Sequence, residues 1–175
     1  LIDKKIDNIW VNDEQILEEV KKIISQMQTN QVPEIKIEKD IEKKYNLARQ
    51  IERISQRKIW LKCGGFITID KTEALTAIDV NSGKYIGKED LERTVYLVNR
   101  EATEEIAKQL RLRDLEGIIM IDYIDMKKEE NKKKIRELLK DELKKDRSKT
   151  QVLEFTKLNL LEMTRKHMYS NLEEI

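Results

Sequence analysis

Two short apolar runs in this chain, 74–79 (Ala-Leu-Thr-Ala-Ile-Asp) and 117–122 (Gly-Ile-Ile-Met-Ile-Asp), both end in Ile-Asp. Between them, Leu91, Val95, Val98, Ala102 and Ile106 recur at helical spacing. Strand, long helix, strand is a βαβ unit, which predicts two parallel strands. As neighbours in one sheet, these strands deliver Asp79 and Asp122 to the same end, in the crevice where open α/β sheets take their ligands. Two carboxylates placed together repel unless a cation lies between them. A hard divalent ion such as Mg²⁺ is the natural partner for oxygen donors of this kind.

The flanking sequence extends the pattern. Residues 5–11 read as a strand, and Asn12 as a helix N-cap with Gln15 completing a capping box. Ile16, Leu17, Val20, Ile23, Ile24 and Met27 then mark one helical face. Residues 28–33 form a loop holding Pro33, the one proline, before a short strand at 34–37. Ile41, Tyr45, Ala48 and Ile51 make a helical stripe over 40–54. Strands at 57–63 and 65–70 flank Gly64-Gly65, a hairpin signal. Helices are expected over 88–110 and 127–145, the latter with Ile135, Leu138, Leu139 and Leu143 inside. A strand at 150–156 and a further element at 158–166 complete the pattern. The expected fold is α/β, a mixed sheet with flanking helices over 55–175 and a small N-terminal α/β lobe over 1–54. Strands in 74–156 are expected to be parallel.

Charge sets few bounds: 35 Lys+Arg nearly balance 34 Asp+Glu, so any electrostatic footprint must be local. The one cysteine, Cys63, excludes an internal disulfide and a Cys-rich zinc site. Together with the lack of a visible secretory signal, it points to a reducing, cytoplasmic setting. No apolar run is long enough to span a membrane. The start at Leu1 reads as that of a trimmed segment.

Beyond Asp79, Asn81 falls on the same side if the strand continues, although both residues could simply serve the turn at Ser82-Gly83. The run into Asp122 is similar to the Mg²⁺-holding strand of P-loop nucleotidases. Gly83-Lys84-Tyr85 lacks the upstream glycine and the Ser/Thr of that loop, so nucleotide hydrolysis of that type is excluded. Asp125 is expected to cap the helix near Lys127. Asp122 is costly to bury without a partner. Arg111 and Arg113, in the basic stretch before the second aspartate strand, could face a polyanion or simply suit a helix C-terminus. The alternation in 57–62 (Arg-Lys-Ile-Trp-Leu-Lys) favours a half-buried strand over a stacking platform. Lys132-Lys133-Lys134 read as a solvated helix face, His167 as a surface residue, and Cys63 as core packing.

Residues 64–83 (Gly-Gly-Phe-Ile-Thr-Ile-Asp-Lys-Thr-Glu-Ala-Leu-Thr-Ala-Ile-Asp-Val-Asn-Ser-Gly), 107–115, 121–126 and 160–165 resemble the catalytic core of the ribonuclease E/G family. The resemblance covers about 50–175, and 1–49 resemble the tail of that family's ribonuclease-H-like subdomain. It implies a bacterial endoribonuclease that cuts single-stranded, AU-rich RNA and leaves 5′-phosphates. It further implies a DNase I-like fold, Mg²⁺ held by Asp79 and Asp122, and Asn81 assisting them. Family members form homo-oligomers through a zinc-binding Cys-x-x-Cys after the closing motif, and carry an OB-fold RNA-binding domain with a 5′-monophosphate pocket. This sequence holds neither.

The expected chemistry is metal-assisted phosphodiester hydrolysis at Asp79 and Asp122. Asn81 orients a carboxylate or the attacking water, and Arg111, Arg113 and Lys149 are candidate phosphate contacts that position RNA. Two alternatives differ in class. One is a non-catalytic scaffold for RNA docking or assembly. The other is a phosphatase for small esters, disfavoured because no Asp-x-Asp-x-Thr nucleophile pattern is present.

Overall fold

The computed structural model describes residues 6–27, 32–83 and 91–166. Lys5, most of the 28–33 loop, the expected first turn of the helix at 88–90, and His167 lie outside the described residues. The chain divides into two compact units, Leu1–Arg53 and Ile54–Ile175.

In the first unit, β1 (Asn8–Val11) and β2 (Glu34–Ile37) pair in parallel and α1 (Glu14–Gln26) joins them. The N-cap is Asp13 rather than Asn12. Its extended backbone lets the carboxylate accept the amides of Gln15 at 2.7 Å and Ile16 at 3.2 Å. A charged acceptor also suits the positive end of the helix better than an amide does. The helix expected over 40–54 is broken in two, α2 (Ile41–Lys44) and α3 (Leu47–Ser55). Asn46 interrupts it at φ 50, a left-handed conformation that asparagine tolerates. The apolar stripes here are thinly covered: Ile24 is buried, whereas Ile16, Ile23, Tyr45 and Ile51 are exposed.

The second unit is a six-stranded mixed sheet in the order β3-β4-β5-β6-β8-β7. Its strands are β3 (Lys58–Trp60), β4 (Phe66–Lys71), β5 (Leu75–Asn81), β6 (Gly117–Asp122), β7 (Thr150–Phe155) and β8 (Leu160–Arg165). The Gly64-Gly65 hairpin forms as expected, with β3 antiparallel to β4. β5 and β6 are parallel, joined by α4 (Leu91–Leu112). β7 follows α5 (Glu129–Leu143), but it does not pair with β6. β8 inserts between them, antiparallel to both, so β7 keeps the expected direction one place further out. The last element, at 158–166, is thus the strand that completes the sheet.

Alternation decides the layers. Ile67, Ile69, Ile78, Val80, Ile119, Ile121, Leu161 and Met163 point to one face and are buried there. They meet Val95, Val98, Ala102, Ile106 and Leu110 of α4 and Ile135, Leu139 and Leu143 of α5. Leu138, also expected inside, is only half-buried. The helices pack on each other and cover that single face. On the opposite face, no helix of this unit among the described residues packs, and Trp60, Ala77, Asp79, Ile118 and Asp122 are exposed.

Arg165, the largest fully buried side chain, ends β8 inside this layer. It donates to Asp146 through Nε at 2.8 Å, to Asp114 at 2.6 Å, and to the Leu115 carbonyl at 3.0 Å. The loops after α4 and α5 are thereby tied to the sheet. Glycine is required at the other end. A Cβ at Gly65 would stand 2.7 Å from the Asn81 carbonyl oxygen, and one at Gly83 2.5 Å from that of Gly64. This close backbone approach presses the β3–β4 turn against the turn that carries Asn81. The Glu101 carboxylate fastens the same turn from α4, accepting the amides of Lys62 and, at 3.0 Å, Cys63. Cys63 is half-buried against the core, and burial pushes its thiol up.

A candidate carboxylate site on the open sheet face

Asp79 and Asp122 sit directly opposite one another at the C-terminal ends of parallel neighbours β5 and β6. Register extends the row: Lys58, Thr68, Asp79, Asp122 and Leu160 lie side by side across five strands. Two residues along, a shorter row holds Trp60, Phe66 and Asn81. All of them face away from the helices, so the carboxylates stand on the open face of the sheet.

The Asn81 amide donates to Asp79 at 2.6 Å. This hydrogen bond fixes one carboxylate beside the asparagine side chain. Burial of its surroundings pushes the Asp122 carboxyl above its ordinary range, and the neighbouring charges of Asp79 and Asp125 push it further. Among the described residues, neither Asp79 nor Asp122 takes part in an ion pair; a charge attraction on Asp79 comes from Arg57, whose guanidinium is itself paired with Asp70.

The strand end is anchored from behind. Asn99 is fully buried on the apolar stripe of α4, and its amide clamps Ile124 from both sides. Nδ2 donates to the Ile124 carbonyl at 2.8 Å, and Oδ1 accepts the Ile124 amide at 3.1 Å. The buried Tyr123 hydroxyl meets Thr103 Oγ1 at 2.9 Å, and burial raises its pKa. A buried amide has to find partners, so an asparagine amid an apolar stripe is the signal by which sequence could have found Asn99. Asp125 is not the expected helix cap: it accepts from Asn159 at 2.6 Å. Glu92 of α4 instead holds the chain entering α5, accepting the amides of Lys127 at 2.9 Å and Lys128 at 3.1 Å and the Asn131 side chain at 2.7 Å. The Lys127 amide leads the contacts that hold the Glu92 carboxyl below its ordinary range.

The basic candidates fall elsewhere. α4 runs back along the sheet, so Arg111 and Arg113 lie at the end where β6 begins rather than where it delivers Asp122. Arg111 donates to the Glu142 carbonyl at 3.4 Å. Arg113 donates to Gln109 at 2.8 Å and to the Gln56 carbonyl at 2.6 Å. Lys149 precedes Thr150, which pairs with Arg165 opposite Gly117, again the far end. None of the three is brought to the carboxylates. The cation in the carboxylate row is Lys58, which alternation along 57–62 places on the outer face. Lys132 and Lys134 pair with Glu129 and Glu130 along the outside of α5.

Donor chemistry limits what such a site holds. Among the described residues no three His, Cys, Asp or Glu side chains converge, so a closed all-protein metal cage is not formed by them. Two carboxylates and one amide oxygen fit an ion that keeps several waters and takes further oxygens from a phosphate, which is the habit of Mg²⁺.

The fold and the site together define an α/β protein with a paired-carboxylate centre on an open sheet face. Residues 1–168 match the profile of the Ribonuclease E/G family, and the chain belongs to that family. It is 39% identical to "Ribonuclease G" of Salmonella typhimurium (strain SL1344) over 99% of its own length and 36% of that protein. Identity to "Ribonuclease G" of Escherichia coli (strain K12) is 44% over 75% of this chain and 27% of the relative. With "Ribonuclease E" of Haemophilus influenzae it is 36% over 98% of this chain and 19% of the relative. The chain therefore spans about a third or less of the relatives it matches. No helix among the described residues is long and apolar enough to cross a membrane.

Proposed function

We propose that this chain is the catalytic core of a Mg²⁺-dependent endoribonuclease. It hydrolyses phosphodiester bonds in single-stranded, AU-rich RNA and leaves 5′-phosphate ends, serving RNA processing and decay in the cytoplasm. The observation that carries the reading is the register of Asp79 against Asp122, with neither carboxylate in an ion pair among the described residues. Family membership supports the substrate class.

Asp79 and Asp122 would hold the ion, which when bound supplies Lewis-acid polarisation of a phosphoryl oxygen and acidifies water. Asn81 keeps Asp79 in one orientation, so its lone pairs need no reorganisation as charge develops on the phosphate. Asn99 and Thr103, through Ile124 and Tyr123, hold the strand end that carries Asp122. Water oxygen attacks phosphorus, the bond from phosphorus to the 3′-oxygen breaks, and that oxygen leaves with a proton. The products are a 5′-phosphate and a 3′-hydroxyl.

End analysis of cleaved single-stranded RNA tests this. Cleavage is expected with Mg²⁺ and is expected to stop with EDTA, and downstream fragments should carry 5′-phosphates. Cleavage in EDTA that yields 5′-hydroxyl ends and 2′,3′-cyclic phosphates would mean attack by the ribose 2′-hydroxyl and would overturn the reading. RNA binding without turnover in Mg²⁺ would favour the scaffold alternative.

A further inference from the structure

Beside the carboxylates, the open face carries a pair of aromatic rings under an ammonium group. Trp60 is 60% exposed, although the strand around it buries Ile59 and Leu61. Its ring meets Phe66 edge-on, with centroids 5.3 Å apart. The Lys58 ammonium lies 4.1 Å from the Trp60 centroid and 3.6 Å from that of Phe66. Phe66 is the register partner of Asn81, and Lys58 shares the row of Asp79 and Asp122. Strand spacing puts β3 about 10 Å from β5, within reach of a nucleotide adjoining a phosphate held at the carboxylates.

We infer that Trp60, Phe66 and Lys58 form a subsite for one unpaired nucleobase and its phosphate, next to the scissile linkage. The inference rests on the ribonuclease reading and adds a residue-level reason for single-strand preference. Unpaired bases expose π-faces that stack on aromatic side chains, whereas bases in a helix are already stacked on each other. Charge complementarity selects the same occupant. An ammonium beside two rings suits a base followed by an anionic phosphate, and the carboxylates alone would repel that anion. The two readings of the 57–62 strand are thus compatible: its inner residues build the core, and its outer ones face the substrate.

The test uses the whole chain with Trp10→Phe, which leaves Trp60 as the single tryptophan. Its fluorescence is titrated in EDTA with a single-stranded oligonucleotide, the same strand in a duplex, and an abasic ribose-phosphate strand. Quenching is expected with the unpaired RNA, with about tenfold weaker binding of the duplex and abasic strands. In Mg²⁺, Trp60→Ala should raise KM about tenfold with kcat nearly unchanged, and Trp60→Tyr should restore most of it. Absent quenching, with cleavage that still depends on Asp79, overturns the subsite and leaves the ribonuclease reading standing. Quenching together with cleavage indifferent to Asp79→Asn leaves the aromatic subsite standing and overturns the assignment of the reaction to Asp79. If Trp60→Ala alters self-association but not RNA binding, the rings belong to a protein contact and the subsite is overturned.

Discussion

Asp122→Asn is expected to lower RNA cleavage about a thousandfold while leaving the fold intact, and Asp79→Asn to do the same. The asparagine keeps the shape of the side chain and removes the charge that holds the ion. Because both carboxylates serve one cation, the double variant should be little worse than either single one, a non-additivity characteristic of groups acting as a unit. Stability should move the opposite way. The folded protein raises the Asp122 carboxyl through burial and through Asp79 and Asp125. A carboxyl raised on folding binds its proton more tightly in the native state, so ionisation disfavours that state. This cost is absent below the unfolded pKa and complete above the folded one. In metal-free buffer at neutral pH, Asp122→Asn should therefore raise Tm, and the gain should vanish in acid. Thermal melts with and without Mg²⁺ measure both halves. Parent-like cleavage by either variant would remove the metal assignment.

Arg165→Leu should destabilise the second unit by about 3–5 kcal/mol, read as a lower denaturation midpoint at an unchanged m-value. The guanidinium is buried, and its loss strands Asp146 and the Leu115 carbonyl in an apolar layer. Burial alone would raise the Asp146 carboxyl, but hydrogen bonds from Arg165 carry it below its ordinary range. A depressed carboxyl contributes stability that is present above its unfolded pKa and lost as pH falls through the folded one. Arg165→Leu should therefore also flatten the acid limb of the stability profile. Arg165→Lys should recover little, because an ammonium cannot fork onto Asp146 while reaching Asp114. A midpoint within experimental error of the parent would show that the network contributes nothing net.

The carboxylate pair was legible in the sequence because two general constraints coincide at Asp79 and Asp122. Parallel strands follow from a strand-helix-strand order, and apolar runs that stop at an aspartate mark the ends of buried strands. The insertion of β8 between β6 and β7 was not legible, since strand order depends on which edge a late segment reaches rather than on its own residues. The placement of Arg111 and Arg113 was not legible for a related reason. Basic residues at a helix end look alike whether they meet a polyanion or a neighbouring loop, and only the direction of α4 places them away from Asp122. Asp125 likewise stood where a cap belongs, but Glu92, more than thirty positions earlier, reaches those amides. Trp60 shows the limit of alternation: it assigns a side chain to the outer face without saying what else stands there.

Diffraction from crystals soaked in Mn²⁺, with data collected at the manganese edge, bears most directly on the acidic pair. A single strong anomalous peak should lie between the Asp79 and Asp122 carboxylates, about 2.2 Å from an oxygen of each. Peaks elsewhere, with both side chains turned onto lysine or arginine, would contradict the account.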